Sequence, residues 1–301
     1  MAQTPSQPLV WLITGCSSGF GIGLALLALQ NGHHVIATSR TPSRTPHLVS
    51  QVESLGGKWH TLDVTSPEAV LKGKVDEVMS VWGRIDVLVN NAGYALLGAF
   101  ECFSDAECRA QMETNFFGPL TLTRILVPYF RSRRSGTIVQ ISSTTGIEAL
   151  ASRSLYSASK FALEGFSEAL YNEMAPFSVR VFLIEPGAFN SSFADKLSTH
   201  QASMPEDYKG TSIEEVIRTV EEMKGGNMRN DVEKGVRAIW DVVMREGLAE
   251  GMKEEFLRLP LGVDAAERWE VVGELRKRTW EGTRHIWESC ELDAQKKQGG
   301  C

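Results

Sequence analysis

A chain of 301 residues with 31 Lys plus Arg against 37 Asp plus Glu carries a formal net charge of -6. Its 43% hydrophobic and 23% charged residues match a globular protein with a sizeable core, which excludes disorder as the main state. The mild acidic excess argues against nucleic acid as a partner, because neutralising phosphates needs clustered Lys and Arg, and the densest basic run, Arg131, Arg133 and Arg134, reads as a solvated helix end.

Short runs rich in Val, Ile and Leu predict strands at 9–14, 34–38, 58–62, 85–89, 136–142 and 178–185. Between them, amphipathic patterns predict helices at 20–31, 46–55, 67–82, 105–130 and 152–175. That alternation predicts an α/β fold, a doubly wound parallel sheet with helices on both faces, in a single domain over 1–301. Right-handed crossovers then place the carboxyl ends of the strands on one edge, where ligands bind. After Pro186-Gly187 the periodicity weakens, and 188–230 is expected to form a substrate lid, the alternative being a surface excursion without a role in binding. Helical patterns follow at 213–224, 231–246 and 264–289, the last a C-terminal extension, with a short seventh strand expected over 256–260. Trp240, Trp269, Trp280 and Trp287 in these helices are expected to pack in the core or an interface, and His33 and His34 to contact solvent.

No stretch reaches the roughly 18 apolar residues of a spanning helix, so no membrane span is expected. The opening MAQTPSQP lacks a basic region, and no secretory signal is expected. Cys16, Cys102, Cys108, Cys290 and Cys301 contain no C-x-x-C pair, which points away from metal sites and disulfides and toward a cytoplasmic location.

The first strand runs into Thr14-Gly15-Cys16-Ser17-Ser18-Gly19-Phe20-Gly21-Ile22-Gly23 and directly into a helical pattern. Glycines there allow a tight turn, close approach of a pyrophosphate and packing of the helix on the strand. The helix amino terminus offers free N–H groups and a partial positive charge. Gly15, Ser17, Ser18, Gly19, Phe20 and Gly21 are the expected contacts on the phosphate side. At the end of the second strand stand Ser39 and Arg40, with Arg44 nearby and no acid. A carboxylate there would bind the 2′-hydroxyl of NAD, whereas a basic residue accepts a 2′-phosphate, so the expected cofactor is NADP(H).

On the same edge follow Asp63-Val64, Asn90-Asn91-Ala92-Gly93, Asn115, Ser142-Ser143 and Tyr156-x-x-x-Lys160. Hydride transfer to a carbonyl builds negative charge on oxygen, so a site for it needs an acid and stabilising donors. Tyr156 can be that acid, although a free phenol has a pKa of about 10. Lys160, one helical turn on, favours the phenolate. A hydroxyl from Ser142 or Ser143 would hold the carbonyl oxygen, and Asn115 would anchor a water that returns protons past Lys160.

Together, TGxxxGxG, NNAG, a serine thirteen residues before the tyrosine and YxxxK resemble the short-chain dehydrogenases/reductases over about residues 9 to 262. The resemblance implies a Rossmann fold and the catalytic set Asn115, Ser143, Tyr156 and Lys160, with Gly146 at the expected offset. It also implies that Asp63 and Val64 meet the adenine side, Asn90 braces the central strands, Asn91, Ala92 and Gly93 line the ribose, and Pro186 and Gly187 flank the nicotinamide. Asp63 has a rival role as the cap of the helix near 67. TGCSSGFG, the SR pair, NFFG and LPLGVDA are most similar to the 17β-hydroxysteroid and retinol dehydrogenase-like branch, including fungal oxidoreductases of secondary metabolism. That implies a fairly apolar alcohol or ketone substrate, with Phe189, Phe193, Leu197 and Met204 from the lid around it. Glu148 and Arg153 either face substrate or form a surface salt bridge. The stripe Phe161, Phe166 and Leu170 leaves a homo-oligomer open. Two other readings stand beside the oxidoreductase: an isomerase, epimerase or cyclase on the same fold, and a non-catalytic NADP(H)-binding protein.

Overall fold

The computed structural model describes residues 7–191, 197–199, 204–223, 228–252 and 256–291. In chain order, β1 (Val10–Ile13), α1 (Gly19–Gln30), β2 (His34–Ser39), α2 (Pro46–Ser54), β3 (Lys58–Thr61), α3 (Glu68–Trp82) and β4 (Val87–Asn90) make the first half. The short β5 (Ala95–Leu97), α4 (Asp105–Met112), α5 (Gly118–Arg133), β6 (Gly136–Ile141), α6 (Ser154–Met174) and β7 (Val179–Pro186) follow. Then come β8 (Leu197–Thr199), α7 (Ser212–Met223), α8 (Val232–Met244), β9 (Arg258–Leu261), α9 (Val263–Gly282) and α10 (Arg284–Glu288).

Seven strands form one sheet in the order β3-β2-β1-β4-β6-β7-β9, every pair parallel. All four residues of β1 are buried, as a parallel strand covered on both faces requires. Its side chains alternate: Trp11 and Ile13 join the layer under α1 and α8, while Val10 and Leu12 join the layer under α3 and α5. The order reverses between β2-β1 and β4-β6, so the crevice opens at the carboxyl ends of β1 and β4.

Several expectations change. The helix expected over 105–130 is two helices joined by a π-helical turn, Glu113–Phe117, that carries Asn115. Gly118 permits this packing, because a Cβ there would stand 2.8 Å from the Cβ of Val64. The C-terminal helix expected over 264–289 is interrupted at Thr283. His33 is buried rather than solvated: its Nδ1 accepts from the Leu9 amide at 2.9 Å and its ring meets Trp240 edge-on at 5.4 Å. His34 stacks on Trp82 at 4.8 Å. The basic run is also tied down, with Arg133 donating to Asp86 at 2.9 Å and Arg134 to the carbonyl of Pro176 at 2.7 Å. The stripe on α6 divides, since Leu170 is core while Phe161 is exposed.

Of the expected lid, β8 pairs in parallel with β5, and Phe189 bridges to Asn230. Phe193 lies outside the described residues. No helix among the described residues is long and apolar enough to cross a membrane.

Candidate active site

The carboxyl ends of β1, β4, β6 and β7 open onto a cavity of about 290 Å³. Its lining includes Gly15, Ser18, Gly19 and Phe20 from the first turn, Asn91, Ala92 and Gly93 after β4, and Ser143, Tyr156, Lys160, Pro186 and Gly187. These residues come from five separate segments that the fold gathers at the strand ends, whereas Ser17, Gly21, Ser39, Arg40, Asp63, Val64 and Asn115 do not line the cavity.

The phosphate-side turn is built by close contacts. Gly15 has φ +71°, and a Cβ on it would stand 2.8 Å from Ala92 Cα. A Cβ on Gly21 would stand 2.5 Å from the Asn91 amide nitrogen. That nitrogen donates to the carbonyls of Thr14 (2.9 Å) and Gly15 (3.1 Å), while the Thr14 hydroxyl accepts from the amides of Asn91 and Ala92, both at 3.0 Å. The turn and the end of β4 are thus locked together. Ser18 occupies the N-cap of α1 without a side-chain capping bond, which leaves the first-turn amides to an anion.

Arg40 is exposed at the end of β2, and its charge acts on Tyr94 in the cavity wall. Ser39 is buried, its hydroxyl accepting from Trp59 at 3.1 Å, so Arg40 is the group presented outward. Asp63 accepts from the amide (3.0 Å) and hydroxyl (2.8 Å) of Thr65. It closes a local turn and does not cap α3, whose N-cap is Pro67. Val64 is buried against Gly118, and Asn90 donates to the Thr123 hydroxyl at 3.1 Å, bracing β4 against α5.

Tyr156 and Lys160 project from the first two turns of α6. Lys160 Nζ stands 5.8 Å from the Tyr156 ring centroid and donates to the carbonyl of Ile141 at 2.7 Å. Burial lowers its pKa to about 8, partly offset by the charge of Glu164. Burial pushes the Tyr156 phenol up, opposed by the Ser143 hydroxyl, the Arg153 charge and Thr145. The cation opposing that rise is Arg153, three residues before it. Ser143 sits at the N-cap of the turn Thr144–Gly146 and accepts from the Thr145 amide at 3.2 Å.

Asn115 is fully buried, and its amide clasps the backbone of Tyr94, accepting at 3.2 Å and donating at 2.9 Å, with a further bond to Ser159 at 3.1 Å. This wide-turn residue positions the wall opposite Lys160 through direct bonds.

Other site residues carry no motif in the sequence. Glu164 and Glu185 are buried behind Lys160, both carboxyls pushed up by burial, with Arg258 donating to Glu164 at 3.1 Å and Trp269 donating to Glu185. Asp264 approaches Gly187 so closely that no Cβ fits there, and it accepts from the Ala188 amide at 2.7 Å. Glu148 pairs with Arg268, not with Arg153. The LPLGVDA segment was the available signal for Asp264; Glu164, Glu185 and Glu148 do not line the cavity and come near it only through tertiary contacts.

The fold is that of a doubly wound α/β protein, with Ser143, Tyr156 and Lys160 beside a glycine turn at the strand ends. The family described as short chain dehydrogenase matches residues 9–202, and the chain belongs to that family. It is 41% identical to "Oxidoreductase claN" of Passalora fulva over 69% of this chain and 94% of the relative. It is 38% identical to human "Retinol dehydrogenase 8" over 69% of this chain and 67% of the relative. A short-chain dehydrogenase from Streptomyces avermitilis superposes with a TM-score of 0.83 at 33% identity, covering 96% of this chain and all of its own. A metagenomic short-chain oxidoreductase solved in complex with NADP superposes with a TM-score of 0.57 at 30% identity, covering 60% of this chain and 82% of its own.

Proposed function

We propose that the protein is an NADP(H)-dependent oxidoreductase that interconverts a ketone or aldehyde with an alcohol on a small, largely apolar molecule, an intermediate of secondary metabolism, in the cytoplasm. The observation that carries this reading is the placement of Tyr156, Ser143 and Lys160 in the same cavity as the glycine cradle of β1 and α1. The cradle fits a dinucleotide, because Gly19 lines the cavity with only Ser191 at 4.0 Å from where its Cβ would stand, and the first-turn amides of α1 carry no side-chain cap. Arg40 at the end of β2 favours a 2′-phosphate. The NADP complex of the metagenomic relative supports the same choice of cofactor.

When bound, NADP(H) supplies or accepts the hydride. In reduction, Tyr156 donates its phenolic proton to the carbonyl oxygen as charge grows there, and the Ser143 hydroxyl donates a hydrogen bond to that oxygen. Arg153 and Lys160 stabilise the phenolate left behind. Burial of Tyr156 keeps it protonated until the transfer. Ala95, Leu97, Phe189 and Met228 give the cavity an apolar wall for the body of the substrate. The exposed Phe117 and Phe161 support a homo-oligomer through the α5–α6 face. NADPH consumption measured with a panel of ketones tests the reading: Tyr156→Phe should stop turnover and leave NADPH affinity intact, and lost affinity would make the tyrosine a structural residue.

A further inference from the structure

Three charged side chains other than Lys160 line the cavity: Asp264, Arg268 and Arg153. Two are committed. Asp264 accepts from the Ala188 amide at 2.7 Å and from the Asn230 amide at 2.6 Å, and Arg268 is paired with Glu148. Arg153 differs from both. It occupies the N-cap of α6, and its Nε is buried without a hydrogen-bond partner. Among the described residues no carboxylate pairs with it, and the ionisable groups acting on it are Tyr156 and Arg268.

Arg153 is half-buried with its Nε cut off from water and no anion beside it, which is unfavourable, and the planar fork of its donors matches a carboxylate. We propose that Arg153 is a specificity residue whose guanidinium binds a carboxylate on the substrate. This rests on the oxidoreductase reading above and narrows it: the substrate is an oxo or hydroxy acid. Its carbonyl or hydroxyl meets Tyr156, its carboxylate meets Arg153 three residues earlier on the same helix face, and its hydrocarbon body lies against Phe189 and Met228. Arg153 also eases ionisation of the phenol, an effect that serves charged and neutral substrates alike.

The test titrates 2-, 3- and 4-acetylbenzoate, each beside its methyl ester, into the full-length protein saturated with NADP⁺. At least one acid should bind about 10- to 100-fold more tightly than its own ester, the range for hydrogen bonds to a charged group. Arg153→Gln should erase that preference and leave NADP⁺ affinity unchanged, while Arg153→Lys, which keeps the charge without the fork, should keep part of it. If Arg153→Gln does not fold, the wild-type contrast and Arg153→Lys decide. Equal affinity of every acid and its ester, failure of every acid to bind, or a preference that survives Arg153→Gln would overturn the proposal. Hydride transfer from NADPH to the same compounds is measured separately. Acid preference without transfer would support the subsite and count against the redox reading; transfer without preference would do the reverse.

Discussion

Lys160 Nζ donates to the carbonyl of Ile141 at 2.7 Å, tying helix α6 to the last residue of β6. The bond holds the ammonium in a buried place beside Tyr156 and fixes how far α6 stands from the strand end that carries Ser142 and Ser143. It also fixes a titration. The groups around Lys160 are Tyr156 and Glu164 on its own helix, with Glu185 of β7 and Arg258 of β9 behind Glu164.

Because burial lowers Lys160 to about 8, its positive charge is complete well below that pH and fades above it. Reductive kcat/KM should therefore be flat at lower pH and decline as pH rises through about 8. Glu164 raises the lysine, so Glu164→Gln should move the decline to lower pH, read from pH–rate profiles of both proteins. A profile unchanged by Glu164→Gln would separate the two groups.

Arg40 should set the cofactor. Arg40→Ala is expected to weaken NADPH binding by about 10- to 100-fold, the worth of a charge-assisted contact, and to leave NADH binding nearly unchanged. Equilibrium titrations with both cofactors check this, and an equal loss for both would remove Arg40 from the 2′-phosphate.

His33 should make stability fall in mild acid. Burial lowers its pKa below the ordinary 6.5, so the folded chain binds fewer protons than the unfolded chain below that pH. Its contribution is full above about pH 6.5 and is lost as pH drops toward the folded value. Urea midpoints should decline less between pH 7.5 and 5.5 in His33→Gln, whose amide oxygen can still accept from Leu9, than in the parent.

Trp240 should be among the costliest single positions in the core. It is 1% exposed, stacks on Trp11 at 5.5 Å and donates from Nε1 to Glu246 at 2.6 Å. Trp240→Ala should cost about 3–5 kcal/mol of stability by denaturant unfolding. The site lies at the strand ends, so specific activity of the folded fraction should persist.

What the sequence made legible was local. The turn from β1 into α1 and the four-residue step from Tyr156 to Lys160 are set within one turn or one helix, and the parallel strands, buried through the middle of the sheet, follow from repeated apolar runs. The π-helical turn at Asn115 was not legible, because 105–130 reads as one continuous helical pattern and its widening answers to the Tyr94 backbone. β5 and β8 are three residues each, too short for periodicity to show. The partners of Glu148 and Glu185 lie 120 and 84 residues away, and His33 is covered by Trp240, so only the assembled fold names them.

Hydride transfer under control of Tyr156 is tested most directly with NADPH deuterated at the transferable position, incubated with the protein, a ketone panel and a metabolite extract, and read by mass spectrometry. An alcohol should gain one deuterium with the unmodified protein and none with Tyr156→Phe. Product formed without deuterium, or equal labelling by Tyr156→Phe, would contradict it.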